Sequence, residues 1–203
     1  MLKSLWRVCI LALASVGFVA VAGALWFMSG GIGAKVPPGR IESAVARRAR
    51  SLGIPRESRS RPNPVPSTPD AIASGMRHFA DHCAVCHANN GSGDTEMGGG
   101  LYPRAPDMRA AATQSLTDGE LFYIIENGVR LTGMPAWGTG SAESEQASWK
   151  LVHFIRHVPA ITPDELTEMA HLNPKSPEDH MDPNEFLKGK DVPPPATPRH
   201  KHY

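Results

Sequence analysis

Cysteine is scarce in this chain, with three in 203 residues. A four-ligand structural zinc site usually joins one Cys pair to a second Cys or His pair, and the only cysteine besides Cys83 and Cys86 is Cys9, inside an apolar run. A catalytic dithiol is disfavoured too, because the residues around Cys83 read as helical and lack a strand-helix-strand setting. Aromatic residues do not accompany the arginines near residue 45, which leaves a nucleic acid without stacking partners there. No strand precedes the five glycines of residues 89–100, so they do not form a phosphate cradle and read as a loop where backbone must approach closely. Net charge is also nearly missing, at a formal +1.

That small total conceals segments of opposite sign. Residues 29–69 hold eight basic and two acidic side chains, residues 70–160 six and ten, and residues 161–203 five and eight. The chain divides accordingly into residues 1–28, a linker over 29–68, a domain over 69–160 and a tail over 161–203.

Lys3 and Arg7 precede 21 uncharged residues, 8–28. A helix of that run is about 32 Å long, enough for a hydrocarbon layer of about 30 Å. A cleaved signal peptide with its small-residue site at Ala20-Val21-Ala22 is the competing reading, and Leu25-Trp26-Phe27-Met28 argue against it by continuing the apolar run. A retained single-pass anchor is expected, with Cys9 as a small apolar residue inside it. Lys35, Arg40, Arg47 and Arg48 follow the span closely, and on charge alone would put the rest of the chain in the cytoplasm.

Residues 40–52 place Ile41, Ala44, Val45, Ala49 and Leu52 at helical spacing with arginines on the other side, and Gly53 and Pro55 stop the helix. Such a helix suits anionic headgroups or an acidic partner; the plain alternative is a solvated helix whose apolar side is mostly alanine. Five prolines in residues 55–69 then predict an extended, stiff spacer with no apolar face.

The chemistry concentrates in Cys83-Ala84-Val85-Cys86-His87. Two thiols three positions apart lie on one side of a helical turn and can add across the two vinyl groups of a haem, with the adjacent imidazole reaching the iron. Downstream, Met134 stands in Leu131-Thr132-Gly133-Met134-Pro135-Ala136-Trp137, a bracketed loop that can hold a thioether over a haem face; the bland reading is a gap-filling methionine. Met97, beside three glycines, and Met108 are its competitors. His78 and His82, and likewise His153 and His157, are read as exposed helical histidines.

Residues from about 69 to 160 resemble a small class I cytochrome c. The resemblance rests on Gly75 and Phe79 in a first helix, the Cys83-x-x-Cys86-His87 motif, Pro106-Asp107, a middle helix, Gly133-Met134-Pro135, and a last helix with Trp149 and Phe154. It implies an all-α fold around one covalent haem c, with Cys83 and Cys86 as thioether anchors and His87 and Met134 as the axial ligands. It further implies that the Pro106 carbonyl accepts from the other ring nitrogen of His87, and that Gly75 lets the first helix cross closely against Phe154. Trp137 is read either as an indole donor to a haem propionate or as simple packing.

Local signals fill in the frame. Thr68 caps a helix with Pro69 in its first turn, Thr117 and Glu120 open a middle helix closed by Asn127-Gly128, and a last helix runs over residues 144–158. Thr162 and Glu165 cap a short helix to about Leu172, after which eight prolines across 161–203 argue against a second packed domain. The tail, with His171, His180, His200 and His202, is read as docking a partner or binding metal.

The functional expectation is single-electron transfer outside the cytoplasm by a cytochrome held at the bacterial inner membrane. Its domain would face the periplasm, against the charge count, and serve membrane-bound respiratory partners. The anchor raises its effective concentration near them, and the acidic domain predicts a basic docking face and salt-sensitive association. Two alternatives stand: a fixed haem subunit of a larger membrane oxidoreductase, and a haem sensor or peroxidase if Met134 leaves the iron.

Overall fold

The computed structural model describes residues 2–29 and 33–174. Among the described residues there is no strand, in line with the all-α expectation. The chain forms two units, residues 1–36 and residues 37–203.

The first unit is one helix, α1 (Leu2–Ser29). Its stretch Trp6–Trp26 is long and apolar enough to cross a membrane. The described side chains along it, from Trp6 to Trp26, are exposed, as an unpartnered lipid-facing helix would be.

The second unit is built on the crossing of α4 (Pro69–His78) and α9 (Ala142–His157). Thr68 and Ser141 cap these helices, each accepting from a backbone N–H three residues on. Gly75 is where they meet: a methyl group there would stand 2.2 Å from the Lys150 carbonyl oxygen and 3.0 Å from the Phe154 Cβ. Only glycine permits that approach, which brings the Phe79 and Phe154 rings to 5.1 Å and leaves both fully buried. After a single helical turn, α7 (Ala111–Gln114), α8 (Asp118–Asn127) closes the core from the side through Leu121, Phe122 and Ile125. Its Phe122 stacks on Trp149 at 4.0 Å and 9°. The box formed by Thr117 and Glu120 opens α8, and Gly128, at φ 65°, ends it.

Two segments differ from the sequence reading. Residues 55–69 are not a free spacer. They follow α2 (Arg40–Gly53) and the buried Ile54, form a short helix α3 (Arg56–Ser60) against α8, and continue as a strap over α9. Asn63 donates to the Trp149 carbonyl at 3.0 Å, Val65 packs on the core, and the Arg61 guanidinium lies 4.7 Å from the Phe122 ring. The tail likewise starts as part of the domain. α10 (Pro163–Leu172) buries Met169 completely and packs against α4 and the turn that follows it. The remainder of the tail, with His180, His200 and His202, lies outside the described residues.

Candidate haem site

α4 does not run straight into the cysteine motif. Residues Phe79–Cys83 form a π-helical turn, and Ala84–His87 complete one α-turn, α5. Such widened turns recur at functional sites because the extra residue re-aims the side chains around it. Here the turn keeps Phe79 and Ala80 in the core while Cys83 and Cys86 stay half-buried and His87 is buried. Ala88, at φ 59°, then reverses the chain.

The loop after the motif folds back on it. Gly93 N–H donates to the His87 carbonyl at 2.8 Å, Thr95 Oγ1 to the Val85 carbonyl at 2.8 Å, and Met108 N–H to the Gly91 carbonyl at 2.7 Å. This stretch is not wholly irregular, since Thr95 caps a short helical turn, α6 (Glu96–Gly100). Its Gly98 lies against the motif so closely that a methyl group would stand 2.1 Å from the Cys86 carbonyl oxygen. Gly93, at φ 73°, leaves the same kind of space for the carbonyls of Ala105 and Pro106, at 2.4 and 3.2 Å from where its Cβ would be.

Burial holds the His87 imidazole below the usual histidine range, while the Pro106 carbonyl facing the ring pulls the other way. The ring therefore stands neutral at pH 7, the form that ligates a metal. The Pro106 approach falls short of a hydrogen bond, so Nδ1 is sealed from solvent without a partner. Burial pushes the Cys83 thiol up to about 12, with Cys86 and Asp81 adding to it, and burial also raises Cys86. Thiolate ligation of zinc is thus costly here, whereas an uncharged thioether is not. Among the described residues no three of His, Cys, Asp and Glu come together as a metal site.

Met134 is half-buried in a loop whose shoulders are pinned to α8 and to itself. Val129 N–H donates to the Met134 carbonyl at 3.1 Å, Thr132 Oγ1 accepts from the Met134 N–H at 3.1 Å, and Trp137 N–H donates to the Ile125 carbonyl at 3.0 Å. Gly128 makes this possible: a Cβ there would stand 2.7 Å from the Met134 carbonyl oxygen. The competitors are placed otherwise. Met108 is buried in the core and Met97 is 55 % exposed on α6.

Trp137 packs partly on the core, its ring 5.3 Å from that of His82. Trp149 is buried on the last helix as the sequence reading expects, but its Nε1 is left without an acceptor, which helical periodicity does not reveal. The histidines are not the exposed residues expected from the helical pattern. His78 and His82 are half-buried and meet edge to face at 4.9 Å. His153 Nε2 bonds the Val65 carbonyl at 2.7 Å, and His157 Nε2 bonds Glu165 Oε1 at 2.8 Å. His153 is covered by the strap, which the helical pattern does not reveal, and His157 by α10, whose packing against the domain that pattern does not reveal.

An all-helical domain with a Cys-x-x-Cys-His turn presented from the glycine crossing of its first and last helices is a monohaem c-type cytochrome domain, carrying one covalently bound haem c. Residues 70–155 match the family model described as cytochrome C oxidase, cbb3-type, subunit III, rather less than half of the chain. No curated protein matches it. The side chains present fit the group: a neutral buried imidazole with an unpartnered nitrogen, and two thiols in surroundings that disfavour charge. When bound, haem supplies a one-electron couple, so the domain serves haem-based electron transfer.

Proposed function

We propose that this chain is a membrane-tethered monohaem cytochrome that passes single electrons between respiratory partners outside the cytoplasm. In this reading Cys83 and Cys86 are the thioether anchors and His87 and Met134 the axial ligands, with α1 as a single-pass anchor in the bacterial inner membrane. The bracing of the Met134 loop is the observation that carries the ligand assignment. Carbonyl and N–H of Met134 are both fixed, so the thioether can be presented without further ordering of the backbone. Filling both axial positions raises the potential and leaves no open coordination site for a substrate. The Pro106 carbonyl, already facing His87, is the acceptor that orients the imidazole, and a hydrogen bond there raises ligand basicity. Trp137 is assigned to packing of the Met134 loop rather than to a propionate, because its ring and its backbone both face protein groups.

The test is the visible spectrum of the full-length holoprotein beside its Met134→Ala variant. Loss of the methionine-to-iron absorption and new rapid binding of carbon monoxide by the reduced variant are expected. Identical spectra would remove the ligand assignment and open the sensor or peroxidase reading.

A second reading, a fixed haem subunit of a larger oxidase, is favoured by the description of the family model that residues 70–155 match. Partner chains that co-purify in constant ratio after detergent extraction support it. A cytochrome recovered alone supports the tethered carrier.

A further inference from the structure

The helix α2 is amphipathic, yet no residue of it is buried. Ile41, Val45 and Leu52 fall within a narrow arc of its surface and are 80 %, 63 % and 67 % exposed. Arg40, Arg47, Arg48 and Arg50 flank that arc or face away from it, against the single acid Glu42. The residues of α2 that lose part of their exposure, Glu42, Ser43, Arg50 and Ser51, lie outside the apolar arc. Glu42 accepts from the Tyr102 hydroxyl, so this other side is the one turned toward the cytochrome domain.

We propose that α2 is an interfacial helix whose Ile41, Val45 and Leu52 stripe enters an anionic lipid surface while its arginines engage the headgroups. The inference rests on the reading of α1 as a membrane anchor. Residues 30–39 are all that separate α1 from α2, and such a linker reaches at most about 40 Å when fully extended. The stripe is therefore confined near a bilayer. Arginine side chains lay their apolar stems on the stripe and hold their charge among phosphates, the arrangement that binds amphipathic helices in the interface plane. A solvated helix would gain nothing from three large apolar side chains aligned and uncovered.

A consequence follows for the cytochrome. Ile54 and Pro55 alone lie between α2 and α3, Ile54 is buried, and α3 packs on α8. An α2 held on the surface restrains the orientation of the domain, which then presents one side to its partners instead of tumbling on a leash.

The test uses the full chain with haem attached, so that Cys83 and Cys86 are consumed, in a Cys9→Ser background. A nitroxide is placed at Val45→Cys, on the stripe, or at Ala46→Cys, off it. The protein is reconstituted in phosphatidylcholine vesicles with and without phosphatidylglycerol, and collisions with oxygen are compared with those of a water-soluble nickel chelate. The expected result is a severalfold higher oxygen-to-nickel ratio at position 45 than at 46, growing with phosphatidylglycerol. Equal ratios at the two positions overturn the proposal, and equal shielding in both lipids overturns the anionic requirement. Shielding that fades as the protein is diluted in lipid assigns the stripe to a second copy, and shielding that needs a co-purified chain assigns it to a protein; either result overturns the lipid reading. Loss of the chain from vesicles under alkaline extraction overturns the anchor and this proposal together. Retention with an aqueous position 45 overturns this proposal alone.

Discussion

Two segments flank the cytochrome domain, residues 54–66 before it and α10 after it, and they attach by opposite means. The first uses polar groups almost throughout. Arg59 closes its own turn on the Ile54 carbonyl at 2.9 Å, Thr117 Oγ1 donates to the Arg59 carbonyl at 2.8 Å, and Asn63 and His153 exchange bonds with backbone across the strap. The second relies on one wholly buried side chain, Met169, with Leu172 beside it. Asn173, with its amide nitrogen turned to the acceptors, adds bonds to the Ala80 and Met169 carbonyls and to Asn89. A hydrogen bond contributes about 1 kcal/mol net and must be formed in number, whereas one buried large apolar side chain contributes about 1.5–3 kcal/mol by itself. The strap is thus a distributed attachment and α10 a concentrated one.

Single substitutions separate the two. Met169→Ala is expected to have the largest effect, about 2–5 kcal/mol in denaturation of the holoprotein, because removal leaves a cavity between α10, α4 and the π-helical turn. Hydrogen exchange of the α10 amides should rise toward that of free peptide while residues 54–61 keep their protection. Wild-type stability in this variant would show that α10 does not depend on the methionine. Gly119→Ala should come next, at about 1–3 kcal/mol. The added methyl group would stand 1.9 Å from the Ser58 carbonyl oxygen, and backbone cannot yield cheaply. Here the pattern reverses: residues 54–61 lose protection and α10 keeps it. Alanine also improves the propensity of α8 by up to about 1 kcal/mol, so a net gain in stability would mean that α3 was never pressed on α8.

What the sequence discloses follows the same divide between local and distant causes. Both capping boxes, at Thr117 with Glu120 and at Thr162 with Glu165, were legible, because donor and acceptor lie three residues apart. So was the cysteine motif, whose spacing carries its chemistry. The last helix begins at Ala142, earlier than residue 144, because Ser141 caps it, a choice among several neighbouring serines that spacing cannot make. The strap was illegible for a stronger reason. Its anchors are the carbonyls of Arg59, Val65 and Trp149, and no side-chain pattern advertises a backbone acceptor dozens of residues away. The π-helical turn was hidden similarly, since residues 79–83 carry an ordinary helical pattern and widen only where the core claims Phe79 and Ala80. The bracketing of the Met134 loop could be read from its glycine and proline neighbours, whereas the orphaned Trp149 Nε1 in the core depends on what surrounds it in space.

The smallest expected effect is a pH dependence that belongs to α10 alone. Burial raises the Glu165 carboxyl, but bonds from the Thr162 N–H and hydroxyl and from His157 outweigh it and hold the group below the usual carboxylate range. A carboxyl depressed by folding stabilises the folded state above its unfolded value, and that contribution is lost as pH falls through the folded one. The attachment of α10 should therefore loosen on acidification below about pH 4.5, the ordinary value for the group. The strap should respond less, because its anchoring hydrogen bonds end on backbone carbonyls and its carboxylate pairs are a long one, Arg59 to Glu120 at 3.8 Å, and an exposed one, Arg61 to Glu145. Comparing amide exchange of residues 163–172 with that of 54–61 as pH is lowered reads the difference directly. Glu165→Gln should flatten the α10 response and Asp164→Asn should leave it in place. If both variants retain the wild-type profile, the attachment of α10 is apolar throughout, and the link from His157 to Glu165 is a surface contact without weight.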